Sequence, residues 1–108
     1  MTVDSPLAWP VLAEWRADAA PGCFDGHFPG HVVLPGAYVL DGVIERLESV
    51  CAVRVLAVRS AKFTAVLTPG AILQIRALVG SGQIRFEALH GQKAAASGVL
   101  KLATGACA

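Results

Sequence analysis

Charge is scarce in this sequence. Only 16% of its 108 residues are Asp, Glu, Lys or Arg, and 9 basic against 8 acidic side chains leave a net charge of +1. Arg and Lys are scattered evenly, so no basic stripe exists to neutralise a run of phosphates, and nucleic acid is excluded as a main partner. Cysteine is also sparse: Cys23, Cys51 and Cys107 are odd in number and far apart, with no C-x-x-C pair. That pattern argues against a zinc or redox motif and predicts reduced thiols in a cytoplasmic protein. No apolar run reaches about 18 residues without a charge, Pro or Gly, so no spanning helix is expected. Met1 to Pro10 has neither a basic start nor a long apolar run and does not read as a signal peptide.

Apolar residues, in contrast, make up 55% of the chain, above the roughly 45–50% of typical soluble domains. A chain of this length buries only about two-thirds of its unfolded surface. Part of the apolar excess is therefore expected in a subunit interface. The length fits a single domain over 1–108.

Period-2 alternation dominates the second half. Leu73, Ile75, Ala77 and Val79 alternate with Gln74, Arg76 and Leu78, and Ile84, Phe86 and Ala88 alternate with Gln83, Arg85 and Glu87. These are strands with one buried face, joined at Gly80-Ser81-Gly82 by a tight hairpin turn. Val53 to Thr64, ended by Thr68-Pro69-Gly70, and Ala94 to Thr104, after the His90-Gly91 turn, are two more strands. The four are expected to form an antiparallel meander, with Trp9 to Ala17 as a fifth strand. One segment, about Gly36 to Ala52, has helical spacing: Leu40, Val43, Ile44, Leu47 and Val50 or Cys51 form an apolar stripe flanked by Asp41, Glu45 and Glu48. Pro35 stands at its start, where a missing N–H costs nothing. A single amphipathic helix must pack on the sheet, which predicts an α+β domain of one helix against one curved sheet.

Chemistry concentrates in Gly26-His27-Phe28-Pro29-Gly30-His31-Val32-Val33-Leu34-Pro35-Gly36. Two X-Pro-Gly turns constrain this loop. The amides of Gly36 and Ala37 fall in the first helical turn, where N–H groups lack intrahelical partners and the dipole favours negative charge. They are suited to receive an oxyanion. Asp41, beside Leu40 and Ile44, is expected to be partly buried, and burial makes a carboxyl group a better proton donor near neutrality. His27 titrates near neutrality and can act as a base, so His27 and Asp41 facing one cavity would supply both halves of a general acid–base reaction. His27 and His31 do not make a metal pair, because Pro29-Gly30 breaks any helix between them and no third ligand is evident.

Residues 26–45, GHFPGHVVLPGAYVLDGVIE, resemble the signature of the FabZ/FabA-type 3-hydroxyacyl-acyl-carrier-protein dehydratases, approximately G-H-F-P-G-x-P-x-x-P-G-x-x-x-x-D/E. Ala61-Lys62-Phe63 and Thr68-Pro69-Gly70 resemble that family's A-R/K-F and P-G-D elements, so the likeness spans roughly residues 9–104. It implies a hot-dog fold and a homodimer in which His27 of one subunit meets Asp41 of the other, with further assembly into a trimer of dimers as one option. It implies that His27 removes the α-proton of a (3R)-3-hydroxyacyl thioester borne by acyl carrier protein. Asp41 would then help expel the β-hydroxyl as water, and the Gly36 amide would polarise the thioester carbonyl. Phe28, Pro35 and Tyr38 would line the acyl tunnel, and no metal or redox cofactor is needed.

The departures are specific. His31-Val32 replaces the usual x-Pro, Glu45 stands where Gln is usual, and Ala71 replaces the Asp of P-G-D. The carboxylate is Asp, as in the FabA type, while His27-Phe28-Pro29-Gly30 follows the FabZ type. These departures keep two other readings open: a catalytically inactive hot-dog partner of an active dehydratase subunit, and a hot-dog acyl thioesterase, against which the H-F-P-G loop argues.

Overall fold

The computed structural model describes residues 9–18 and 34–103. Within them the chain forms β1 (Val11–Ala17), α1 (Gly36–Cys51), β2 (Val55–Phe63), β3 (Ala71–Gly80), β4 (Gln83–His90) and β5 (Lys93–Leu102). The expected elements all form, with ends displaced by about two residues or fewer.

Helix α1 starts where Pro35, extended at φ −61° and ψ 142°, sets the chain direction. Val39, Gly42, Val43 and Leu47 make its buried face; of the apolar stripe read from sequence, Val43 and Leu47 are buried, Leu40, Ile44 and Cys51 are half-buried and Val50 is exposed, so the buried face is rotated toward Val39 and Gly42. It ends at Ala52, held in the left-handed region at φ 55°, whose N–H donates to the Glu48 carbonyl. This is the usual way of satisfying the last carbonyls, with Ala where Gly would be unstrained. The Glu48 side chain then reaches forward, its Oε2 accepting the Val55 N–H at 2.8 Å. The helix thus fixes the first residue of β2, and the strand begins two residues later than its apolar pattern suggests.

The five strands form one antiparallel sheet in the order β1-β3-β4-β5-β2. This corrects the expected four-stranded meander: β3, β4 and β5 do run as consecutive hairpins, but β2 pairs with β5 at the far edge, and β1 takes the place beside β3. The cause lies in burial. Trp15 and Ala17 of β1 are buried and pair with Leu73 and Ala71, so β1 completes the apolar face under the helix. β2 has no comparable face, being exposed from Leu56 to Phe63, and an edge position suits it. The long Thr64–Gly70 connection also lacks the two-residue turn that would force a β2–β3 hairpin.

The core lies between α1 and the inner sheet face. Val43 and Leu47 from the helix meet Leu73, Ile75, Ile84, Phe86 and Leu100 from the sheet, all fully buried. The helix approaches β1 closely because residue 42 is glycine: a Cβ there would overlap the Trp15 ring. Trp15 is further held by Tyr38, at 5.7 Å between ring centroids, and by the Arg46 guanidinium 5.1 Å from its ring centre. No helix among the described residues is long and apolar enough to cross a membrane.

Candidate active site

The start of α1 is the chemically distinctive point of the described chain. The first intrahelical bond is donated by Val39 N–H to the Pro35 carbonyl at 3.2 Å, so the N–H groups of Gly36, Ala37 and Tyr38 precede the ladder. Pro35 offers no side-chain cap and the first turn carries no acidic residue. The positive end of the helix dipole therefore has no acidic side chain in its own first turn.

Beside these amides lies an apolar cleft of about 150 Å³ lined by Leu34, Gly36, Val39, Phe63, Ala65, Val66, Leu67 and Ala95. Its walls come from four places, one of them Ala95 of β5. Leu34 and Gly36 lead into the helix, Phe63 ends β2, and Leu67 belongs to the connection to β3. The two loops are tied together by a 2.7 Å hydrogen bond from Leu34 N–H to the Leu67 carbonyl. Thr64 is fixed to β5 by its N–H to the Ala95 carbonyl at 2.9 Å and its hydroxyl to the Ala94 carbonyl at 2.8 Å. An apolar slot beside N–H groups that precede the helical ladder suits a ligand with a hydrocarbon part and a polarisable carbonyl.

The residues singled out by sequence are distributed as follows. Gly36 lines the cleft and Ala37 follows it, exposed, in the same turn. Pro35 is the half-buried residue that begins the helix. Asp41 is exposed, contrary to the expected partial burial: it sits one helical turn beyond Ala37, and none of the described elements covers it. Tyr38 does not line this cleft; its ring packs on Trp15 and its hydroxyl donates to the Asp18 carbonyl. His27 and Phe28 lie outside the described residues. The described chain brings Gly36 to the cleft and leaves Asp41 outside it. The sequence reading gave no role to Leu34, Val39, Phe63, Leu67 and Ala95. Two of them carried a signal, Leu34 as part of the 26–36 segment and Phe63 as the last residue of the Ala61-Lys62-Phe63 element.

One helix packed on a five-stranded antiparallel sheet in this order is the hot-dog fold. Comparison with solved structures finds the same architecture in "The Dehydratase Heterocomplex ApeI:P from Xenorhabdus doucetiae", with a TM-score of 0.66 and 25% identity over 82% of each chain. An uncharacterized protein from Erwinia carotovora subsp. atroseptica is similar too, with a TM-score of 0.62 and 28% identity over 83% of this chain and 79% of that one. The ApeI-like family model, described as ApeI dehydratase, matches residues 10–99. The chain belongs to the ApeI-like dehydratase family. No curated protein matches it.

Proposed function

We propose that the chain is a (3R)-3-hydroxyacyl thioester dehydratase of the FabZ/FabA mechanistic type, acting on acyl groups carried by acyl carrier protein. The observation that carries this reading is the apolar cleft beside the uncapped first turn of α1, in a chain of a dehydratase family. A hydrocarbon tail fits the cleft, and the thioester carbonyl at its mouth accepts a hydrogen bond from Gly36 N–H. As that oxygen gains negative charge, the amide and the helix dipole stabilise it more than they stabilise the neutral carbonyl.

The chemistry then needs one base and one acid. His27 takes the α-proton, the C–H electrons form the α,β double bond, and the C–O bond to the β-hydroxyl breaks. Asp41 delivers a proton to the departing hydroxyl, so water leaves and a trans-2-enoyl thioester remains. Transfer of the proton from His27 to Asp41, through solvent or product water, resets the pair.

Exposure of Asp41 outside the cleft fits a site completed by a second chain, in which the Asp41 of one subunit serves the His27 of the other. β2 offers the surface for it. Among the described residues this edge strand pairs only with β5, and Leu56, Val58, Phe63 and Val66 along it and just beyond are exposed at 59%, 41%, 46% and 78%. Such an edge is a template for strand pairing. We assign it to a homodimer. The similar ApeI:P structure is a heterocomplex by its own description, which favours a second reading in which the β2 partner is a related hot-dog chain. Retention of both His27 and Asp41 supports an active subunit in either assembly, and membership of a dehydratase family leaves the thioesterase reading without support.

The test is enoyl formation from a (3R)-3-hydroxyacyl group on acyl carrier protein. Wild type turns over, and His27→Ala and Asp41→Asn each lose roughly 10²-fold or more while staying folded. A folded wild type that forms no enoyl product at any chain length, alone or with a second hot-dog chain, would refute the reading.

A further inference from the structure

β5 is irregular beside the cleft. Ala96 pairs with Ala88 and Ala94 with Leu89, adjacent residues of β4, so Ala95 is an extra residue, a β-bulge. In a regular strand successive carbonyls point to opposite sides. Here the Ala94 and Ala95 carbonyls both meet Thr64, which donates its hydroxyl to the first at 2.8 Å and its N–H to the second at 2.9 Å. Further along the same connection Leu67, itself buried, presents its carbonyl to the Leu34 N–H at 2.7 Å, and Gly70 N–H donates to the Ala17 carbonyl at 2.9 Å. The connection from Thr64 to Gly70 is thus a strap with one foot on β5 and the other on β1. Its middle carbonyl holds the residue two places before Gly36. All of these bonds lie within one chain, so a partner covering Phe63 and Val66 leaves them in place.

We propose that Thr64 is a positioning residue: through this strap it sets where the Gly36 N–H points, and so how well that amide meets the carbonyl of a bound thioester. This rests on the reading of Gly36 as the donor to that carbonyl. The path from strap to amide has few loose joints. Pro35 locks its own φ, at −61°, and confines Leu34 before it to extended backbone. With the Leu34 N–H held by Leu67, the direction of the Gly36 N–H follows from where the Leu67 carbonyl stands. Of the bonds that hold the strap, only that of the Thr64 hydroxyl is made by a side chain; without it Thr64 is free to pivot about its N–H. Thr64 does not line the cleft, so it acts on the reaction through Leu67, Leu34 and Gly36. A donor aimed at charge that develops only in the transition state works by its position, and displacing it costs rate more than binding.

The experiment compares wild type with Thr64→Val and Thr64→Ala, which remove the hydroxyl, and with Thr64→Ser, which keeps it. Amide exchange at Leu34 and the Gly36 amide resonance are followed by NMR on the protein alone, and kcat and KM are measured with a (3R)-3-hydroxyacyl group on acyl carrier protein. In Thr64→Val and Thr64→Ala, Leu34 exchanges roughly fivefold faster and the Gly36 resonance moves, while β3 and β4 keep wild-type protection. Their kcat falls roughly fivefold with KM within about twofold, and Thr64→Ser behaves as wild type in every reading. Unchanged Leu34 and Gly36 signals in a folded variant without the hydroxyl would overturn the proposal. So would a general loss of protection across the sheet, or signals that move while kcat stays at the wild-type value, either of which leaves Thr64 a stabilising residue only. If wild type turns nothing over, the dehydratase reading fails alone, and the Leu34 and Gly36 signals still decide whether Thr64 places the amide.

Discussion

At Gly42 the helix and β1 touch with no room for a side chain, because the Trp15 ring occupies the space a Cβ would take. Gly42→Ala therefore forces either the indole or the helix to move. We expect a loss of about 1–3 kcal/mol or more, measured by urea unfolding, despite the better helix propensity of Ala. Ala52 is the reverse case. It is the non-glycine described residue at positive φ, 55°, and has been placed there by the need to end α1. Ala52→Gly relieves that strain and is expected to raise the unfolding midpoint, by an amount worth up to about 1 kcal/mol; an unchanged or lowered midpoint would contradict the assignment. Gly36 and Asp41 could be picked out from sequence as candidates by their position along one helix and their spacing from His27. Phe63 could not be given a role that way, because its contact with Gly36 spans the whole of α1 and β2. The burial expected for Asp41 failed for a related reason: helical spacing tells which residues flank an apolar stripe, but not whether a second element covers the flank.

Among the elements, α1 and β2 are coupled by one carboxylate. Glu48 Oε2 accepts the Val55 N–H at 2.8 Å, and the Ala52 and Val53 N–H groups both donate to the Glu48 carbonyl. This junction aims the edge strand. Glu48→Ala is expected to cost about 1 kcal/mol and to raise amide exchange selectively at Val55 and its neighbours, with β3 and β4 unaffected. Uniform exchange across the sheet would show that the contact is incidental. The strands themselves were legible from period-2 alternation and the glycine turns, since Gly82 and Gly91 do adopt positive φ, at 79° and 67°. Their order was not. Alternation reports that a strand has two faces and says nothing of its neighbours, so β2 read as the first strand of a meander until the buried Trp15 and Ala17 of β1 claimed the place beside β3.

For the whole molecule, the exposed β2 edge and the exposed Asp41 both support the proposal that a second chain completes the site. The apolar excess in composition was an early sign of it, and the exposed Leu56, Val58, Phe63 and Val66 show where part of that excess lies. Val58→Asp, on this edge, is expected to yield a folded monomer by sedimentation, because a charge placed in a strand-to-strand interface must be desolvated. The His27-to-Asp41 spacing suggested the proposed chemistry through its likeness to a known signature. The pairing of chains proposed with it depends on a surface no local pattern specifies.

Shared sites can be tested directly by co-expressing His27→Ala and Asp41→Asn chains, each inactive alone. Random pairing makes half the dimers mixed, and each mixed dimer holds one site with both residues intact and one with neither. The account predicts that the mixture regains about a quarter of wild-type dehydratase activity. A wild type that is active as a folded dimer, with no activity regained in the mixture, would contradict it and place both groups within a single chain.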